Sequence, residues 1–330
     1  MLTSIPWNSA AMNSKLSVFL RVAVSLTFIG LLLWVFRKDI PDILVTLNGI
    51  RYPEFLLAVF FNLFAIIIVS YRLKVMLKVQ GLDLTVMESV YLTFIGNFFN
   101  NFLPTSIGGD IVKAYYATKK SERKLESFSA VFFDRFFGFL SIGLLALLGL
   151  IFMYGRIEDP KLVWGCSVFA GAVLVIFALF LSKSLAKLLF SGLLSLPAFQ
   201  KGSKLHKLYC AFSAYKERPM TVAKVVGLSL VAQMIAVVSL YFLIRCLSQE
   251  VSFLNLFLIM PLVSVASMMP SINGLGVREG AFVIFLSEFM SREGSVAVSI
   301  LFLALVILAG LIGGVLYLFS SRLYKIPKVG

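Results

Sequence analysis

The chain has 330 residues, 60% of them hydrophobic and only 14% charged, with a mean hydropathy of +0.96. Soluble domains carry about 25% charged residues, so this composition excludes a soluble globular protein and leaves a polytopic membrane protein. The net charge of +14 does not point to nucleic acid: no zinc-spaced cysteines, helix-turn-helix or RNA-binding signature occurs, and basic loops are what the positive-inside rule and anionic leaflets require.

Taken in chain order, apolar stretches long enough to cross a bilayer fall at about 16–36, 54–71, 132–154, 162–182, 221–245 and 295–320, roughly 20 residues being needed. The first lacks a small-residue cleavage site and reads as a retained helix rather than a signal peptide. Two further stretches, 89–118 and 253–290, are apolar but broken near their middles. The first break reads Asn100-Asn101-Phe102-Leu103-Pro104-Thr105-Ser106-Ile107-Gly108-Gly109-Asp110, and the second Pro270-Ser271-Ile272-Asn273-Gly274-Leu275-Gly276-Val277-Arg278-Glu279-Gly280. In each, a proline is followed by two glycines and then an acid and a base opening a new apolar run. Pro104 and Pro270 with their glycines break a helix, and paired broken helices in two halves of a chain point to a transporter's binding site.

Charge selects between two short spans and a re-entrant hairpin at each break. With hairpins and a cytoplasmic N-terminus, the inside segments hold Lys15, Arg72, Lys74, Lys78, Lys119, Lys120, Arg123, Lys124, seven bases from Lys183 to Arg218, and Arg322, Lys325 and Lys328. That is eighteen bases inside against seven outside (Arg37, Lys38, Arg51, Arg156, Lys161, Arg245 and Arg292), as the positive-inside rule requires. The expected fold is therefore all-α and polytopic, with about six full transmembrane helices and two re-entrant broken-helix hairpins. The hairpins enter from opposite faces, so the halves, about 16–154 and 162–320, form an inverted repeat within one membrane domain. Both termini are expected on the cytoplasmic side of the inner membrane. The 183–220 segment interleaves Leu185, Leu188, Leu189 and Phe190 with Lys183 and Lys187, which suits either an amphipathic helix on an anionic leaflet or a solvated basic loop.

Ionisable groups at bilayer depth suggest function by default. After Gly108-Gly109 and after Gly274-Leu275-Gly276 a half-helix should start near the membrane centre, with its N–H groups and positive dipole end facing inward. Glycine turns at such ends are ready anion sites, and Lys113, Arg135 and Arg278 add positive charge, enough to hold a phosphate. Asp110, Asp134 and Glu279 are candidate gating or proton-coupling carboxylates. Asp110 and Lys113, three apart, can pair on one face. Sequence neighbours diverge on a helix, so Asp134-Arg135 and Arg278-Glu279 are expected to pair elsewhere: Asp110 or Asp134 with Arg278, and Glu279 with Arg135 or Lys113. Arg72 is either an interfacial anchor or a headgroup contact. Asn97, Asn100 and Asn101 either cap freed backbone or touch ligand, and Asn62, Gln233 and Ser239 suit interhelical hydrogen bonds. His206 is the only histidine, and Cys166, Cys210 and Cys246 are unpatterned; no metal site, cofactor or disulfide framework is expected.

These residues resemble a known family. Gly96 through Asp110, then Asp134-Arg135, then Pro270 through Gly280 are similar to the lysylphosphatidylglycerol synthase transmembrane-region, or flippase-like domain, family over about 15–320. The resemblance implies a polytopic membrane fold with Asp110, Asp134, Arg135, Arg278 and Glu279 as functional positions. Lys113 stands where arginine occurs in many members, which keeps the charge but loses bidentate phosphate binding. The resistance factor of this family, which flips aminoacylated phosphatidylglycerol, carries a soluble transferase domain that these 330 residues lack, so no synthase activity is expected.

The reading is a lipid translocase that moves an anionic phospholipid or polyprenyl-phosphate-linked headgroup between leaflets. Its partners are membrane lipids, including anionic lipid at the cytoplasmic face, with a homo-oligomer or an enzyme partner left open and no nucleic acid. The rivals are a membrane glycosyltransferase using a polyprenyl-phosphate sugar, and a structural partner subunit.

Overall fold

The structure, a computed structural model, describes residues 30, 40–102, 108–118, 124–152, 160–181, 215, 217–269, 271 and 273–323. The expected first span at 16–36 except residue 30, nearly all of the 183–220 segment, and both Pro104 and Pro270 lie outside the described residues. Those described form helices and turns without strand. In chain order the helices are α1 (Ile40–Asn48), α2 (Tyr52–Val79), α3 (Val86–Phe102), α4 (Gly108–Thr118), α5 (Lys124–Phe152), α6 (Pro160–Leu181), α7 (Pro219–Arg245), α8 (Leu256–Ala266), α9 (Val277–Leu286) and α10 (Arg292–Leu323).

Four of them, α2, α5, α7 and α10, are long and apolar enough to cross a membrane; at about 1.5 Å per residue each exceeds the roughly 30 Å hydrocarbon core. Helix α6 runs 22 residues over the stretch expected at 162–182, and holds the shorter apolar stretch Val163–Ala178. Helix α1, which packs on α10, occupies part of the stretch expected to be an outside loop.

Local chemistry sets the helix ends. Pro53 stands in the first turn of α2, where its missing N–H removes nothing. The other end closes with Leu82 N donating to Leu77 O and Gly81 N to Lys78 O, both 3.0 Å, the Schellman arrangement. Gly81 takes φ +77 there, a left-handed conformation that a Cβ makes costly. Gly81→Ala is expected to lower stability by about 1–2 kcal/mol, read as a reduced thermal transition of the protein in detergent. Helix α3 opens with a reciprocal cap: Glu88 N donates to Thr85 Oγ1 at 3.2 Å, and Thr85 N donates to Glu88 Oε2 at 2.7 Å.

Helices α2 and α7 pack closely and run antiparallel. Arg51 N donates to Cys246 O and Ser239 Oγ to Ala58 O at one end, while Lys224 reaches Tyr71 and Tyr215 Oη donates to Met76 O at the other. Ser239 thus makes the interhelical bond expected of it. The largest buried cluster lies beside this pair, where Leu240, Leu243 and Ile244 of α7 meet Leu256 and Ile259 of α8, Phe282 of α9 and Leu301 of α10.

The two broken stretches each fold back on themselves. Helices α3 and α4 pack together, as do α8 and α9. Each pair is then held by two long helices. Helix α5 packs on α4 of its own stretch and on α8 of the other, and α10 packs on α9 and on α3. Small residues permit this closeness: a Cβ on Gly313 would collide with the backbone carbonyl of Phe94, and one on Gly109 with the carbonyl of Gly96. Helices without a hydrophobic drive between them associate through such contacts.

Candidate functional site

Asp134 and Arg135 sit side by side on α5 and point to different neighbours, because successive residues on a helix diverge by about 100°. Asp134 faces α2 and α7. Its Oδ1 accepts from Arg72 Nε at 2.7 Å, and Arg72 Nη1 donates to Ser229 Oγ at 2.9 Å. Both charged residues are buried. Arg72, expected as an interfacial anchor or a headgroup contact, is instead seen buried against Asp134, with α2 extending on to Val79.

Arg135 turns instead towards the first broken stretch. Its Nη1 lies 2.5 Å from Asp110 Oδ2, and Lys113 Nζ lies 3.4 Å from Asp110 Oδ1. The expected Asp110–Lys113 pairing along one turn of α4 is present, with Arg135 added from α5. This cluster is the most open of the three: the Arg135 side chain is 38% exposed, against 9% for Lys113 and 15% for Asp110. The Lys113 stem runs over Gly96, where a Cβ would overlap it, so α3 supplies the groove that aims the ammonium at Asp110.

The third cluster corrects an expectation. Arg278 and Glu279 were expected to find partners elsewhere, yet they pair with each other: Arg278 Nη2 lies 2.6 Å from Glu279 Oε1, and the guanidinium stacks 5.4 Å from the centre of the Phe302 ring. Glu279 Oε2 meanwhile accepts from Gly276 N at 2.6 Å. A carboxylate three residues into a helix reaches back to its start, and from there it also meets the next guanidinium. None of the expected pairings of Arg278 or Glu279 with Asp110, Asp134, Lys113 or Arg135 forms among these ion pairs.

The half-helix starts are also partly filled from within. Gly109 N donates to Asn100 Oδ1 at 2.8 Å, so Asn100 caps. At the other stretch Gly276 (φ +85) and Gly274 (φ +77) hold conformations suited to glycine, and the Glu279 carboxylate stands at the positive end of α9 where an external anion would. Gly108 and Gly109 are buried at the α3–α4 contact.

The two stretches meet through a pair that sequence reasoning did not join. Asn273 Nδ2 donates to Asn101 Oδ1 at 2.5 Å, and Asn101 Nδ2 donates to Val306 O at 2.8 Å. An asparagine close to each break was the available signal. Among the described residues no three His, Cys, Asp or Glu side chains gather as a metal site, and Cys166 and Cys246 are free and buried.

No curated protein matches the chain. The family described as the lysylphosphatidylglycerol synthase TM region matches residues 18–320, a range that holds both broken stretches and all three charge clusters. That match spans nearly the whole chain, and the chain belongs to the lysylphosphatidylglycerol synthase transmembrane-region family.

Proposed function

We propose that this protein is a lipid translocase, moving an anionic or polyprenyl-phosphate-linked headgroup between the leaflets of the inner membrane. One observation carries the reading: a half-exposed cation, Arg135, lies well inside a membrane-length helix, held by Asp110 beside Lys113 on the half-helix that follows a break. Burying charge is expensive, and a pair needed only to hold helices gains by being closed off, as Arg72–Asp134 is. An incompletely covered guanidinium can exchange its carboxylate for a phosphate at small cost, because both are bidentate acceptors. Arg135 is the leading phosphate contact, with Lys113 beside it and Asp110 as the carboxylate released or protonated when substrate binds. Gly108 and Gly109 bring α4 close enough to present this face. Arg278, buried and matched by Glu279, with Gly274 and Gly276 shaping its turn, takes the corresponding place in the second half, and Asp134 with Arg72 braces the helices around it.

The two broken stretches act as re-entrant hairpins of an inverted repeat. The reciprocal packing supports this: exchanging α2 with α7, α3 with α8, α4 with α9 and α5 with α10 turns each contact among these eight helices into another observed contact. Anionic lipid is the partner at the cytoplasmic end, where both termini lie. At that end of the α2–α7 pair Lys224 Nζ donates to Tyr71 Oη at 3.1 Å and lies 5.2 Å from the ring centre, with Lys74 and Lys78 near enough to act electrostatically on the same phenol.

Purified protein in liposomes is expected to exchange fluorescent anionic phospholipid or polyprenyl phosphate between leaflets. Arg135→Ala should slow exchange by about 10–100-fold, as loss of a charge-assisted hydrogen bond implies, while the thermal transition shows the variant folded. A folded wild type that moves no lipid would overturn the proposal. Sugar transfer from a polyprenyl-phosphate donor would then indicate a glycosyltransferase, and loss of expression alone in the variant a structural subunit.

A further inference from the structure

Each broken stretch contributes one asparagine to a contact between them. Asn101 closes the last turn of α3, and Asn273 stands in the turn before α9 with φ +48, a left-handed conformation that asparagine tolerates. Asn273 Nδ2 donates to Asn101 Oδ1, while Asn101 Nδ2 donates to the Val306 carbonyl on α10. Val306 lies near the middle of α10, roughly 21 Å from its start at about 1.5 Å per residue, so the contact forms near the mid-length of that helix. Gly310 makes room for it, since a Cβ there would overlap the Asn101 amide nitrogen. Asn100, the neighbour, is already engaged on Gly109 within its own stretch.

The division of bonds matters. The ion pairs Arg135–Asp110–Lys113 and Arg72–Asp134 lie wholly in the first half of the chain, and Arg278–Glu279 wholly in the second. Parting the two stretches therefore breaks none of these strong pairs. Among the described residues it breaks the neutral Asn273–Asn101 amide bond, and the Asn101–Val306 bond too if Asn101 leaves α10, each of a kind worth about 0.5–1.5 kcal/mol net in proteins and about 0.6 kcal/mol on average within membranes. A bond that weak adds little to holding the halves together. It is well suited to open and close repeatedly, and its freed Asn273 N–H can donate to a phosphate oxygen in place of the Asn101 carbonyl.

We infer that Asn101 and Asn273 form a clasp between the two broken stretches that must part for a headgroup to pass, making them positioning residues of the translocation path. The inference rests on the translocase reading. The test uses Asn101→Cys with Asn273→Cys in a full-length chain whose Cys166, Cys210 and Cys246 are replaced, bridged by a short bis-methanethiosulfonate reagent and assayed in liposomes with fluorescent anionic phospholipid. Bridging should lower exchange at least tenfold, and dithiothreitol should restore it; simple misfolding would not be reversed by reductant. Bridged protein that moves lipid at the unbridged rate, or failure of the two thiols to bridge at all, overturns the clasp. Gly310→Ala gives a second reading. It displaces the Asn101 amide without removing a polar group, and should relax discrimination between anionic and zwitterionic lipid several-fold at an unchanged thermal transition; unchanged discrimination counts against the clasp. If wild-type protein moves no lipid, the translocase reading itself has failed and the clasp falls with it, an outcome the wild-type control identifies.

Discussion

Asp134→Ala is expected to destabilise the protein by about 3–5 kcal/mol, the cost of leaving a buried charge without its counterion. Arg72 is 5% exposed and Asp134 6%, so water does not reach in to replace the lost carboxylate. Ser229 already accepts from Arg72 Nη1, but a hydroxyl carries no charge to balance the guanidinium. The double substitution Arg72→Met with Asp134→Leu removes both charges and keeps apolar volume, so it should recover to within about 1 kcal/mol of wild type. Denaturant or thermal unfolding in detergent reads both. A single variant as stable as wild type would mean that water screens this pair, contrary to its burial. The same experiment separates bracing from transport: the double variant, if folded, should still move lipid, because the pair faces α2 and α7 rather than the Arg135 side of α5.

Gly313→Ala is expected to be destabilising by about 1–3 kcal/mol, the range for forcing extra volume into a packed contact. The sign is the informative part, because alanine gains about 1 kcal/mol over glycine inside a helix when nothing opposes it. Here the new methyl would meet the Phe94 carbonyl, with the Phe94 carbon at 2.5 Å and the Ile95 nitrogen at 3.2 Å. Backbone atoms do not rotate aside as side chains do, so α3 would have to move off α10. Gly227 is the internal control: a Cβ there has nothing within 4 Å, and Gly227→Ala should be neutral or stabilising by up to about 1 kcal/mol. Because α3 also carries Asn100 and Asn101, Gly313→Ala should impair lipid exchange as well. An unfolding transition raised in both variants would show that α3 and α10 are not in backbone contact.

Much of the fold was legible because its signals are local. A run of apolar residues, a proline with glycines behind it and a base beside an acid are all properties of a few consecutive residues, and they placed the long helices near 54–71, 132–154, 221–245 and 295–320 and the interruptions near 104 and 270. The Asp110–Lys113 pair was legible for the same reason, since three residues on a helix share a face. The Arg278–Glu279 pair was misjudged by applying that helix rule where it does not hold. At a helix start, Glu279 turns back to Gly276 N and so comes within reach of its own neighbour.

The charge partners of Asp134 and Arg135 were beyond local reasoning, because they depend on which helices surround α5. Two adjacent side chains diverge, and only the packing of α2 and α7 on one side and α4 on another decides that Asp134 meets Arg72 while Arg135 meets Asp110. The joining of Asn101 to Asn273, 172 positions apart, is of the same kind. By itself, then, the sequence determined that this is a helical membrane protein of the lysylphosphatidylglycerol synthase transmembrane-region family with two broken apolar stretches bearing charge. Tertiary structure alone decided which charges are matched and closed, which cation is left half-exposed, and that Asn101 meets Asn273. Hydropathy and helix breaking are summed over neighbours in the chain, whereas a hydrogen bond or ion pair is fixed by distances of about 3 Å that only the packed helices set.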